Sequence, residues 1–128
     1  MEIKNLELIK QLRHELHQHP ELSNQEAWTK QYLMDFLKAH TNLEIVDKGL
    51  WFYGIYRAGK SKRNIAFRAD FDAVPIEETI NISYGSKNPG ISHKCGHDGH
   101  AACLAGFAME IDQKGADKNI FFLFQHAE

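Results

Sequence analysis

Cysteine and proline are scarce in this chain of 128 residues, and neither sign of charge dominates it. Each shortage excludes something. Two cysteines, Cys95 and Cys103, cannot build the disulfide framework that staples small secreted domains. No Cys-x-x-Cys pair occurs, which argues against a dithiol redox centre. A formal charge of −2 gives no field to gather nucleic acid or an anionic membrane. No apolar run is long enough to span a bilayer, and Met1-Glu2-Ile3-Lys4 opens no signal-peptide core. These absences lead us to expect a cytoplasmic protein of a reducing compartment, with no nucleic-acid or membrane partner. No repeat, low-complexity tract or linker is visible, and the length suits one domain.

Histidine is the residue in excess, with eight copies. Three of them fall in His93-Lys94-Cys95-Gly96-His97-Asp98-Gly99-His100. Neutral imidazole and thiolate are the donors that borderline-soft divalent ions prefer. Gly96 and Gly99 allow a tight turn with room above it. A helical apolar run from Ala101 to Ile111 follows, so the cluster is expected at a loop-to-helix junction. A helix N-terminus there would stabilise a Cys95 thiolate. Taken singly, these side chains read as surface histidines and a small buried thiol; together they point to a metal or catalytic site. Cys103, one to two turns into the helix, is expected to be buried.

Leu6, Ile9, Leu12 and Leu16 recur at helical steps, which predicts an amphipathic helix over 5–18 that stops at His19-Pro20. His14 and His17 read most simply as its polar face. Ser23 and Glu26 have capping-box spacing and predict a second helix reaching about Ala39. Its buried stripe is expected to be Trp28, Tyr32, Leu33, Phe36 and Leu37. Strands are expected at 43–46, where the run is short enough for an edge, and at 51–57, 63–70 and 119–124. Gly59-Lys60-Ser61-Lys62 reads as a turn, with Tyr56 and Ile65 flanking a hairpin-like loop. Ile120-Phe121-Phe122-Leu123-Phe124 is apolar throughout and is expected to be central, buried on both faces. Asp70 and Asp72 stand two apart at the end of a strand, where carboxylates reach ligand crevices in α/β proteins. Either could instead pair with Arg68 or cap a turn. The stretch 76–92 is polar and turn-rich, a loop leading to the cluster. The helix after the cluster should end at Lys114-Gly115. The fold class expected is α/β, a mixed twisted sheet with flanking helices.

Four blocks, in order, carry a resemblance. They are Arg13-His14-Glu15-Leu16-His17-Gln18-His19-Pro20-Glu21-Leu22-Ser23, Arg68-Ala69-Asp70-Phe71-Asp72-Ala73-Val74-Pro75-Ile76, the His93–His100 cluster, and Phe122-Leu123-Phe124-Gln125-His126-Ala127-Glu128. The chain resembles the metal-dependent aminoacylase and carboxypeptidase-like amidohydrolases, which include hippurate hydrolase, indole-acetyl-amino-acid hydrolases and N-acetyl-diaminopimelate deacetylase. The resemblance implies a zinc-exopeptidase-like catalytic domain that hydrolyses the amide bond of N-acyl amino acids or small peptides. It implies two divalent metal ions per site (manganese, zinc, cobalt or nickel), with Cys95 and His97 as metal ligands. It also implies that Glu128 is the general base and that Asp72 supports the metal site from the strand end. His126 departs from the family's proline and Lys94 from its usual alanine.

Family members are much longer, and a further glutamate ligand would follow Glu128. Residues 1–128 are therefore expected to be the N-terminal portion of the catalytic domain, lacking the domain through which the family homodimerises. Two other readings stand beside the enzyme: a truncated, catalytically inactive fragment, and a small Cys/His metal-binding module. The second is disfavoured because structural zinc usually closes a shell of four ligands.

Overall fold

The structure, a computed structural model, describes residues 1–60 and 63–127. Seven elements follow one another: α1 (Ile3–Gln18), α2 (Ala27–His40), β1 (Glu44–Asp47), β2 (Phe52–Tyr56), β3 (Asn64–Asp70), α3 (His97–Lys114) and β4 (Asn119–Gln125). The strands form one mixed sheet in the order β1-β2-β4-β3. The fold is thus the α/β class expected, with β4 inside the sheet and the short β1 at its edge. No helix among the described residues is long and apolar enough to cross a membrane.

The expected hairpin between β2 and β3 does not form. Instead β4 lies between them, antiparallel to β2 and parallel to β3. The most apolar strand takes the place with a neighbour on each side, and the less apolar β3 moves outward. Asn119, the first residue of β4, fastens this arrangement. Its side-chain oxygen accepts the Ala58 N–H at 2.9 Å, its amide nitrogen donates to Asn64 Oδ1 at 3.1 Å, and its backbone N–H donates to Arg63 O. Half of the expected turn, Ser61 and Lys62, lies outside the described residues.

Burial along β4 alternates with the strand period. Ile120, Phe122 and Phe124 are buried, whereas Phe121 and Leu123 are half-buried, so the strand is not buried on both faces as expected. The buried set joins Leu12 and Leu16 of α1, Leu33 and Leu37 of α2, and Ala101, Ala105 and Ala108 of α3 in one core. Phe52 and Phe124 stack within it, ring centroids 4.7 Å apart. Burying such a side chain stabilises by about 1.5–3 kcal/mol. The alanines of α3 let it lie close to the sheet, and Gly106 lets α1 approach: a Cβ there would stand 2.3 Å from Ile9 Cδ1.

α2 begins later than its sequence suggests. Ser23 and Glu26 form no capping box; Glu21 takes the role, accepting the Thr29 N–H at 2.7 Å and the Thr29 hydroxyl at 2.7 Å. A carboxylate there also suits the positive end of the helix dipole. Trp28 is 37% exposed rather than part of the buried stripe, and it lies on the rings of His19 and Tyr32. Cys103 is exposed, contrary to expectation, because it falls on the face of α3 opposite its alanines. α3 ends as expected, with Gly115 at φ +81° and its N–H on Ile111 O.

Candidate active site

β3 hands the chain to the site. Asp70 ends the strand and pairs with Arg68, Nη2 to Oδ1 at 2.6 Å. Asp72, two residues on, turns inward and is buried. The two carboxylates therefore part company: the first makes the local ion pair that its neighbour offers, and the second enters the site. Gly96, at φ +87°, precedes the first turn of α3. That left-handed conformation is cheap only for glycine, and from either side of it Cys95 reaches the Asp72 backbone carbonyl and His97 its carboxylate.

The contacts centre on Asp72. His97 Nδ1 lies 2.7 Å from its Oδ1, Ser23 Oγ donates to its Oδ2 at 2.7 Å, and Cys95 Sγ donates to its backbone carbonyl at 3.5 Å. With Nδ1 donating to Asp72, the lone pair of His97 falls on Nε2, the form in which imidazole ligates metals. Burial pushes the Cys95 thiol up from its ordinary range, and the charges of Asp72 and Asp98 push the same way. The backbone N–H groups of His97 and Cys95 oppose this without prevailing. The helix N-terminus therefore does not leave a ready-made thiolate, as the sequence suggested; a bound cation would have to displace the proton.

A second network stands behind the first. His17, 4% exposed, bridges two carboxylates: its Nδ1 is 2.7 Å from Asp98 Oδ2 and its Nε2 is 2.7 Å from Glu78 Oε2. Arg13 Nε donates to the same Asp98 oxygen at 2.9 Å. Burial raises the Glu78 carboxyl, but the Ser86 N–H, His17 and Lys94 outweigh it and hold the group below its usual range. His14 stacks on Tyr84 with ring centroids 3.8 Å apart. Of the α1 histidines, His17 is thus a site residue and His14 packs on Tyr84, rather than both forming a solvated face. They also order the stretch 76–92, which Lys87 N–H to Gln18 O and Asn88 Nδ2 to Pro20 O tie to the end of α1.

His93 is the odd member. It is 3% exposed, and neither ring nitrogen has a hydrogen-bond partner among the described residues. Burial, with His17 and His97 close by, drives it down to about 4 against the pull of Asp98 and Asp72, so the ring is neutral near pH 7. A buried polar group without a partner costs about 1–3 kcal/mol. His93 and Cys95 line an open cleft of about 460 Å³ whose walls include Arg13, Glu78, Ile80 and Tyr84.

The structure thus brings Asp72, Cys95 and His97 together. His100 is exposed, its ring 5.6 Å from that of His97. Glu128 lies outside the described residues. Sequence reasoning missed Ser23, His17 and Glu78 as site residues, and took Asp98 only as a member of the cluster. The contact that brings Glu78 into the site had no local signal, since His17 is 61 residues away on α1. Thiol and oriented imidazole fit as donors to a soft divalent ion, but among the described residues no three His, Cys, Asp or Glu side chains stand close enough to hold one by themselves.

Comparison with known proteins agrees with this geometry. Residues 66–128 match the model of peptidase family M20/M25/M40. An N-acyl-L-amino acid amidohydrolase of Geobacillus stearothermophilus is 44% identical over 91% of this chain and 32% of its own length. An N-acetylcysteine deacetylase of Bacillus subtilis is 39% identical over 91% of this chain and 32% of its own length. A Bacillus subtilis structure described as a dinuclear metal-binding peptidase of the M20 family superposes with a TM-score of 0.89 at 37% identity, over 97% of this chain and 36% of that one. The chain spans about a third of the length of the relatives it matches.

Proposed function

The chain belongs to peptidase family M20/M25/M40, and from that premise we propose that it carries part of a metal-dependent amidohydrolase centre acting on N-acyl amino acids. The observation that carries this reading is the meeting of Cys95, His97 and Asp72 at the junction of β3 and α3. In α/β proteins that is the carboxyl-end crevice where ligands bind. Cys95 and His97 would hold the metal, and Asp72 would fix the His97 ring. Two divalent ions bound there would supply polarisation of the amide carbonyl and acidification of the attacking water.

The chain's own residues do the positioning. The Asp72 carboxylate holds one proton on His97 Nδ1 and so sets which nitrogen can ligate. Ser23 locks the second Asp72 oxygen, so the carboxylate cannot rotate away. Glu128 is proposed as the group that takes the proton of the attacking water and returns it to the leaving amine. The cleft beside Cys95 offers apolar Ile80, Ile82 and Tyr84 to an acyl group, with Arg13 and Lys94 at hand for a carboxylate.

Cys95 and His97 are two of the several donors that a two-metal centre needs, so ligand binding rather than turnover is the readout. Calorimetry with N-acetyl-L-alanine is the test. Binding should require zinc and should vanish with chelator or with Cys95→Ser. Binding that ignores both would contradict the reading.

A further inference from the structure

The cleft leaves one group without an explanation. Every other buried imidazole of the site has a partner: His17 has Asp98 and Glu78, and His97 has Asp72. Among the described residues His93 has none on either nitrogen, although it is as buried as they are and lies among carboxylates. Asp72 and Asp98 are near enough to influence it electrostatically, yet each makes its hydrogen bonds elsewhere. A side chain kept there for packing alone would be better replaced by an apolar one of similar volume, since that removes the cost of the orphaned nitrogens. The position is useful only when something else supplies the partner, and the cleft it lines is where a ligand would enter.

We propose that His93 is a specificity-determining residue that directs a ring N–H at an oxygen acceptor of the N-acyl amino acid bound in the cleft. This rests on the reading of the cleft as an N-acyl amino acid site. The ligand chemistry follows from the group itself. An imidazole ring N–H is a hydrogen-bond donor. It suits an uncharged carbonyl oxygen or a carboxylate whose charge is met elsewhere, and the cations of Arg13 and Lys94 line the same cleft. Buried donors of this kind discriminate strongly, because an analogue lacking the acceptor leaves them unpaired.

Two measurements on the zinc-loaded chain test this. The first is the imidazole nitrogen spectrum of histidine-labelled protein, titrated with N-acetyl-L-alanine and separately with L-alanine. The His93 signals should move on adding N-acetyl-L-alanine. If L-alanine moves them equally the acceptor is the carboxylate; if it does not, the acceptor is the acyl carbonyl; either supports the assignment. The second is a pair of variants. His93→Leu should melt at a higher temperature than the parent while binding N-acetyl-L-alanine about tenfold more weakly. His93→Asn, which keeps a donor, should recover part of that binding. A merely structural histidine would give no opposite movement of stability and affinity. Zinc-dependent binding with unmoved His93 signals, or unweakened binding by a folded His93→Leu, would overturn the inference and leave the amidohydrolase reading intact. Failure of N-acetyl-L-alanine to bind at all would overturn both.

Discussion

The two ends of the β3–α3–β4 unit are built from the same strands and obey opposite rules. At the end where β4 starts, Asn119 satisfies Ala58, Asn64 and Arg63 at once, and from there the strand runs through the apolar core, with Phe122 at mid-strand fully buried. At the other end Asp72, His93, His97 and Asp98 are nearly as buried, yet both His93 nitrogens lack partners among the described residues. Burial at the first end is answered internally. At the second it leaves a polar group to be answered by what binds. Folded proteins accept such a cost chiefly where function requires it.

Predictions follow from breaking each end in turn. Phe122→Ala strikes the apolar core between the two ends and should cost about 3–5 kcal/mol, measured by chemical denaturation. Loss of about 1 kcal/mol or less would mean the core is far looser than the stacked rings suggest.

The next effect belongs to the site end and to pH. His93 is lowered to about 4 in the folded chain, against about 6.5 when unfolded. The unfolded chain therefore binds the proton first. The stability contribution is complete above about pH 6.5 and is lost as pH falls towards about 4, by up to about 3 kcal/mol. His93→Leu should flatten that part of the stability curve. An unchanged slope would contradict the assignment of that part of the curve to His93.

A smaller effect separates orientation from ligation. Asp72→Asn keeps the shape but weakens the hold on His97 Nδ1, and zinc affinity should fall about 10- to 100-fold, read by competition with a chelating dye. Smallest of all, Asn119→Ala should cost about 1–2 kcal/mol by removing one clamp while leaving metal affinity untouched. A drop in metal affinity there would mean that the two ends are coupled.

How much of this was legible in the sequence differs between the ends for the same reason. Helical spacing of Leu6, Ile9, Leu12 and Leu16 and the unbroken apolar run 120–124 report local structure and burial, and they placed α1 and the inner strand correctly. Pairing is not local. Nothing in Tyr56 or Ile65 says that a strand more than fifty residues later will slide between them. Ser23 and Glu26 have the spacing of a cap, but Asp72 competes for the Ser23 hydroxyl and Glu26 accepts the Ala127 N–H at 2.6 Å. Tertiary contacts overrode a local preference there. In the site, Cys95 and His97 were visible as a donor-rich string, whereas Ser23, which locks their partner Asp72, and the His17–Glu78 pair beside Asp98 come from distant parts of the chain. The thiol followed the same logic: its position before a helix promised a thiolate, and its burial beside Asp72 and Asp98 gave the opposite.

The central claim is that Cys95 and His97, held on Asp72, take a divalent metal ion. Cobalt titration followed by absorption tests it most directly, because a thiolate-to-cobalt charge-transfer band reports a cysteine ligand. The account predicts a saturable band that strengthens as pH rises towards the raised Cys95 range, disappears in Cys95→Ser and persists in Cys103→Ser. Absence of the band in the parent chain, or its survival in Cys95→Ser, would contradict the account.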